Sequence, residues 1–270
     1  MPEGPEVTIL TENLNHELKG KTVIDFEITS TSRYREKAPD NFVYFYDSLP
    51  LKINGVKNKG KLIYFLFDKN FSLLNTLGMS GGWSKTNGKH TSVIMTLKGG
   101  KKYYFIDTRH FGTFKFFDTK GDLDKRLSKL GPDMLNDRDV TSTTFIRRLR
   151  KYKHYNICKA IMDQKIICGV GNYLKSESLY HAKINPLKKV EDLTSKELER
   201  LFRSIRKKIR ESYLSEGVSV RDFSDLDDKK GKYQFYFEVY CQKEDSKGRK
   251  VVKVVTPDKR STYYVPEVQV

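Results

Sequence analysis

The first six residues, Met1-Pro2-Glu3-Gly4-Pro5-Glu6, place a potential secondary amine beside two carboxylates. Pro at position 2 permits removal of the initiator Met, which leaves Pro2 with a free α-amino nitrogen. Such a group has a pKa near ~8, so a useful fraction is neutral and nucleophilic at pH 7, which an ordinary Lys cannot match. An amine next to an acid is what Schiff-base chemistry at a sugar C1′ requires. The nitrogen attacks the carbon while the acid protonates the departing or opening oxygen. The same residues admit a plainer reading: Pro5 and Glu6 simply start a helix, where acidic groups favour the dipole. A second candidate is Gly169-Val170-Gly171-Asn172, between two helical stretches. With Asn172 as N-cap, a Gly-rich turn into a helix offers backbone N–H groups to an anion such as a phosphodiester. It reads equally well as a tight turn between helices.

These residues need a scaffold, and the apolar periodicity supplies one. A helix is expected over residues 5–18, with Val7, Leu10, Leu14 and Leu18 on one face and Gly20 as the stop. Short β-branched and aromatic runs follow at 22–28, 42–45, 62–67, 71–74, 92–97, 102–106 and 113–117. Gly, Asn and Asp punctuate them, which points to a β-sandwich. Residues 119–140 are polar and broken by Gly131-Pro132, and read as a linker. Beyond it the period becomes helical over 143–151, 156–164, 173–183 and 194–213. Thr194 and Glu197 form a capping-box pattern at the start of the last. Its basic face, with Arg200, Arg203, Arg206, Lys207, Lys208 and Arg210, is of a kind that is usually just solvated, but here it adds to an already basic half. Runs at 251–255 and 261–265 around Thr256-Pro257-Asp258-Lys259 predict a hairpin. The class expected is α+β.

Composition narrows the partners. The chain has 270 residues, and 51 Lys+Arg against 34 Asp+Glu give 51 − 34 = +17. That charge points to polyphosphate, nucleic acid being its commonest form, or else to a merely Lys-rich surface. No apolar run approaches the ~20 residues that cross a bilayer, and MPEGPEV lacks the features of a signal peptide. Cys158, Cys168 and Cys241 do not suggest a disulfide framework, so a reducing, intracellular setting is expected.

Several motifs occur in one order: MPEGPEV, Gly60-Lys61, Leu77-Gly78-Met79-Ser80-Gly81, Asp107-Thr108-Arg109-His110-Phe111-Gly112, Leu130-Gly131-Pro132, Met162-Asp163-Gln164 and Gly169–Tyr173. Together they resemble the formamidopyrimidine-DNA glycosylase/endonuclease VIII family, the helix–two-turn–helix DNA glycosylases, over about residues 1 to 269. The resemblance implies a β-sandwich domain over 1–130, a helix–two-turn–helix domain over 131–225 and a hairpin over 226–270. It implies Pro2 as the Schiff-base nucleophile, Glu3 as the acid in sugar-ring opening and Glu6 as their support. Lys61 would contact phosphate near the lesion and assist β-elimination; without the resemblance it is a strand-edge Lys that discourages aggregation. Met79, Arg109 and Phe111 would fill the gap left by an everted base, although Met79 and Phe111 on pattern alone would be core. His90, Lys153 and Asn172 fall where the family contacts DNA phosphates.

The C-terminus departs from the family's four-Cys zinc finger. Val265 and Val268 stand in the places of the second Cys pair, and Cys241 stands alone in the region. One Cys without a nearby His cannot make a tetrahedral site. Arg260 stays at the turn, where the family's finger Arg reaches the lesion phosphate and assists δ-elimination. This is similar to the zincless-finger, endonuclease VIII-like branch, with Val252, Val254, Tyr264, Val265 and Val268 holding the hairpin by apolar packing. The expected activity is a bifunctional DNA glycosylase and apurinic/apyrimidinic lyase of base excision repair, without metal or organic cofactor. It would excise oxidised pyrimidines and hydantoins by β,δ-elimination, with lesion choice set by residues 215–235. The expected partner is damaged DNA, double- or single-stranded, bound in the cleft between domains by a monomer, with no membrane. A non-catalytic binder of damaged DNA would need neither Pro2 nor Glu3. An RNA-binding module would fit the charge and leave the N-terminal pair unexplained.

Overall fold

The structure, a computed structural model, describes residues 2–218, 226 and 231–270. It divides into two compact units. The first comprises Met1–Pro2, Glu6–Lys129 and Glu216–Gly231; the second comprises Glu3–Pro5, Leu130–Ser215 and Lys232–Val270. The chain passes from one to the other within the first turn of α1 (Gly4–Leu18).

The first unit is built on antiparallel strands β1 (Thr22–Ile28), β2 (Leu51–Lys59), β3 (Leu62–Phe67), β4 (Ser72–Thr76), β5 (Gly81–Ser84), β6 (Thr91–Leu97), β7 (Lys102–Asp107) and β8 (Thr113–Phe117). Their order is β5-β7-β6-β1-β2-β3-β4-β8. β1 and β2 share only the pairs Thr22–Lys52 and Val23–Leu51, so the sheet folds there into two layers of a β-sandwich. Phe26, Trp83, Met95 and Phe105 of one layer meet Ile53, Phe65, Leu73 and Phe116 of the other, and Val7, Leu10, Leu14 and Leu18 of α1 join the same core. Burying side chains of this size contributes about 1.5–3 kcal/mol each, which is why the α1 stripe is so regular.

Three local expectations change. The aromatic run at 42–45 forms α2 (Phe42–Asp47), not a strand. Its pattern is helical, since Phe45 is buried and Phe42 packs partly against the core while Val43 and Tyr44 are exposed. Phe45 packs on Phe116 with the rings tilted at 4.6 Å and meets the edge of Phe26 at 5.6 Å, so tertiary packing overrides β propensity. β2 escaped sequence reading because Gly55 stands among its buried positions and a register shift between Ile53 and Gly55 breaks the alternation. The expected linker begins with α3 (Lys120–Ser128), capped by Thr119, whose hydroxyl accepts the Asp122 N–H. Only Leu123 of that helix is buried, which hides its period.

The second unit packs α4 (Ser142–Arg150), α5 (Ile157–Met162), α6 (Asn172–His181) and α7 (Ser195–Leu214) with the hairpin β9 (Val252–Val255) and β10 (Ser261–Tyr264). α7 turns Leu198, Leu201, Ile205 and Ile209 inward, and its capping box forms between Thr194 and Glu197. Its basic face is not simply solvated. Arg200 donates to the Ala182 carbonyl at 2.6 Å and Arg206 to the Met134 and Asp137 carbonyls. Lys208 is buried against Glu238 at 2.5 Å. Those carbonyls lie far away in sequence, so periodicity could not show them. α6 is buried over its whole middle, including the charged Lys175 and Glu177.

Candidate functional site

Glu3 is 2% exposed, and both of its carboxylate oxygens are held. Oε1 accepts the Tyr173 N–H at 2.9 Å and Oε2 the Leu174 N–H at 3.3 Å. Both donors lie in the first turn of α6. The helix N-terminus that the sequence offers to an anion therefore receives a carboxylate of the chain itself. Gly171 is required: a Cβ there would stand 2.2 Å from Glu3 Cδ. The Gly4 N–H donates to the Gly169 carbonyl at 2.8 Å and fixes the peptide beside Glu3. Asn172 is not the N-cap. Gly171 occupies the cap, because Glu3 fills the space of any side chain there, and Asn172 becomes the first helical residue. Its Nδ2 donates to the Ser261 carbonyl at 3.0 Å.

In the first unit, Pro2 is buried and Glu6 is 1% exposed. Glu6 Oε1 accepts the Val218 N–H at 2.9 Å. Gly217, at φ +77, comes so close that a Cβ would lie 2.9 Å from the same oxygen. Lys61 follows Gly60 in the tight turn between β2 and β3, where Lys59 pairs with Leu62 and Gly60 takes φ 56. Gly at the first central position is what a twisted two-residue hairpin needs. Lys61 is half-buried, and His90 lies half-buried in the turn before β6.

Met79, Arg109 and Phe111 come from two loops braced by one carboxylate. Asp107 is 2% exposed, accepts the Ser80 hydroxyl at 2.7 Å and the Gly112 N–H at 2.6 Å, and also takes the Arg109 N–H at 3.3 Å. The Arg109 N–H donates to Ser80 Oγ at 3.0 Å, closing the brace. Gly78, at φ +64, lets the loops touch, since a Cβ would meet the Phe111 backbone at 2.6 Å. Arg109 Nη1 reaches Met79 Sδ at 3.9 Å, and Phe111 is 54% exposed. The sequence pattern alone would make Phe111 core; the structure leaves it exposed on a fixed loop. Buried polar bonds, not packing, set that conformation.

In the second unit, Lys153 is exposed in the turn between α4 and α5, and Arg260 is exposed at the end of the β9–β10 loop. Val265 is fully buried with Tyr180, Val239 and Val251, and Val268 packs partly against them. Gln269 closes the base: its Oε1 accepts the Val265 N–H at 2.9 Å and its Nε2 donates to the Ile184 carbonyl at 2.8 Å. Glu177 accepts the N–H groups of Glu238, Val239 and Tyr240 at 2.8–3.0 Å. Burial pushes the Glu177 carboxyl above its ordinary range, and those backbone bonds oppose the shift. Val252, Val254 and Tyr264 are only half-buried.

Residues 1–114 match the profile of the formamidopyrimidine-DNA glycosylase N-terminal domain, and residues 130–224 match that of the formamidopyrimidine-DNA glycosylase H2TH domain. The formamidopyrimidine-DNA glycosylase of Pelotomaculum thermopropionicum is 30% identical over 279 residues, spanning 100% of this chain and 99% of that protein. The chain belongs to the formamidopyrimidine-DNA glycosylase family. The relative from Listeria monocytogenes is 29% identical, with 100% of each covered. Among solved structures, MutM (Fpg) from Thermus thermophilus aligns with TM-score 0.85 at 27% identity, covering 99% of this chain and 98% of that one. A Lactococcus lactis Fpg mutant in complex with a Fapy-dG containing DNA aligns with TM-score 0.87 at 26% identity, covering 99% of each. This glycosylase is accordingly a DNA-repair enzyme with lyase activity at abasic sites.

The zinc finger usual in this family does not fit the residues present. Cys158 and Cys168 are buried and Cys241 is exposed; the Cys158 thiol lies against the hairpin, with the Thr262 hydroxyl 3.9 Å from its Sγ. Among the described residues no group of three His, Cys, Asp or Glu could hold a metal. Apolar packing at Val265 and Val268 is part of what organises the hairpin here. Sequence reasoning missed the rest: Glu177, Gln269, Lys175 and Asp258. The available signal was a Lys and a Glu inside an otherwise buried helical run, where charges stay only when paired. Asp107 belongs to one of the sequence motifs, but no spacing rule exposes its bracing role.

Proposed function

We propose that this glycosylase removes oxidised bases through an iminium formed at Pro2. The neutral Pro2 nitrogen attacks C1′ of the damaged nucleotide. The glycosidic C1′–N bond breaks with its electron pair going to the base, which leaves as an anion and takes a proton from solvent. Glu3 takes the proton released from the Pro2 nitrogen and delivers it to the ring oxygen as the sugar opens, giving the iminium. Loss of the C2′ proton then expels the 3′ phosphate, and a second elimination expels the 5′ phosphate. The observation that carries this reading is the carboxylate directly after Pro2, buried and pinned by two N–H groups of α6. A carboxylate has about four acceptor sites, so two backbone bonds orient it without exhausting its capacity for a proton.

Lys61 contacts phosphate beside the lesion and assists β-elimination. His90, Arg109, Lys153 and Asn172 hold DNA phosphates, and Arg260 grips the lesion phosphate and assists δ-elimination. Met79, Arg109 and Phe111 enter the space left by the everted base. The exposure of Phe111 beside Arg109 and Met79 supports this, since apolar surface and an Arg donor offset part of the few kcal/mol lost on unstacking. The excess of 51 basic over 34 acidic residues supports binding of duplex DNA through its phosphates.

The hairpin reads as a zincless finger of the endonuclease VIII-like branch, and oxidised pyrimidines and hydantoins are the favoured lesions. The discriminating loop, within 215–235, lies largely outside the described residues. Glu6 supports Pro2 and Glu3. Turnover on duplexes carrying an oxidised pyrimidine, a hydantoin or 8-oxoguanine tests this reading. Faster excision of the first two, leaving phosphate on both sides of the gap, is expected. Preference for 8-oxoguanine, or β-products alone, would contradict it.

A further inference from the structure

The turn that carries Arg260 is held from within the second unit. β9 and β10 pair from Val252–Tyr264 to Val255–Ser261, which leaves residues 256–260 as the loop. At its base Thr256 Oγ1 donates to Asp258 Oδ1 at 2.5 Å and lies 2.7 Å from Thr262 Oγ1. Asp258 Oδ2 accepts from Lys175 Nζ at 2.7 Å. The Lys175 side chain is 0% exposed and that of Asp258 only 6%. Lys259 then takes φ 58, a left-handed turn that brings the chain round to Arg260.

A lysine ammonium without access to water is rare, and removing it from water is costly unless a partner meets it closely. An apolar side chain would pack α6 without that cost. The ion pair therefore has a use other than packing: it admits one position for the Asp258 carboxylate, and so one course for the next two residues. α6 makes other bonds to the hairpin, at Asn172 to Ser261 and Ser176 to Tyr263, and Glu177 holds residues 238–240 ahead of it. Those hold the base and the strands. Lys175 reaches the loop itself.

We propose that Lys175, through Asp258, is a positioning residue for Arg260, setting the hairpin tip in a finger that has no ligand set for a metal. The proposal rests on Arg260 gripping the lesion phosphate. A purely structural ion pair would change stability and leave the contribution of Arg260 intact, so the two roles separate in a double-mutant cycle.

Single-turnover strand cleavage of abasic-site DNA would be measured for the full chain and for Lys175→Met, Asp258→Asn, Arg260→Ala and the two doubles with Arg260→Ala. Asp258→Asn changes the turn rather than the helix, and carries the test if Lys175→Met does not fold. The expected result is a loss of cleavage in each single variant matching that of Arg260→Ala, with no further loss in the doubles. Wild-type cleavage by folded Asp258→Asn, or losses that multiply in the doubles, would overturn the proposal while leaving Arg260's role intact. Wild-type cleavage by Arg260→Ala would overturn both.

Discussion

The Glu3 carboxylate accepts the backbone N–H of Tyr173 at 2.9 Å, across 170 positions of sequence. The residue following Pro2 is thus fixed by the first turn of α6, the helix that also holds the hairpin. Helix N-termini favour negative charge, so the contact orients Glu3 as a carboxylate.

Glu3→Gln should keep DNA binding and lose base excision by about 10²–10⁴-fold, the usual contribution of a positioned acid–base group. An amide NH₂ must then face one of the two α6 donors, which adds a destabilisation of about 1–3 kcal/mol. Gel-shift titration, excision kinetics and a thermal melt on the same preparation check it. Undiminished excision would show that Glu3 only starts a helix.

Gly171→Ala tests the same contact without touching a carboxylate. The new Cβ would stand 2.2 Å from Glu3 Cδ, so Glu3 must move. Overpacking of this kind costs about 1–3 kcal/mol, and a displaced acid costs activity besides. Excision should fall further than the change in melting temperature accounts for. Kinetics on the folded variant decide the matter.

The brace at Asp107 should be required for the loops and not for the nucleophile. Asp107→Ala removes acceptors from Ser80, Arg109 and Gly112 and leaves buried donors unsatisfied, at a cost of about 1–3 kcal/mol. Affinity for duplex with an everted base should weaken, whereas cleavage of a single-stranded abasic site should fall much less. Equal losses on both substrates would count against the void-filling roles of Met79, Arg109 and Phe111.

Acid stability should show one identifiable carboxylate. Lys101, Lys85 and Tyr103 bond Glu17 and hold its carboxyl down at about 2, against an ordinary value of 4.5. A depressed folded pKa means that the stabilisation is present above the unfolded pKa and is lost as pH falls toward 2. Urea unfolding between pH 5 and pH 2 should therefore show a smaller decline in Glu17→Gln than in the parent. Parallel curves would mean that the exposed network contributes nothing.

Much of the scaffold was legible because it follows local rules. Val7, Leu10, Leu14 and Leu18 mark α1, Thr194 and Glu197 mark the start of α7, and the runs at 22–28 and 113–117 are strands β1 and β8. Reading failed where distant partners decide. Phe26 and Phe116 turn the aromatic run at 42–45 into a helix, and no pattern within that run reveals them. Candidate site residues were recognisable by type and order, but not what holds them: Tyr173 for Glu3, Val218 for Glu6, Ser80 and Gly112 for the Asp107 brace. Buried polar bonds between remote segments leave no periodicity to read.

Borohydride reduction during reaction with abasic-site DNA tests the Pro2 nucleophile most directly. Hydride reduces an iminium to a stable amine, so a covalent protein–DNA adduct should accumulate, with the DNA on the peptide that begins at Pro2. Protein retaining Met1, whose Pro2 nitrogen is an amide, should give no adduct. An adduct mapped to a lysine, or equal trapping by the Met1-retaining form, would contradict the assignment of Pro2.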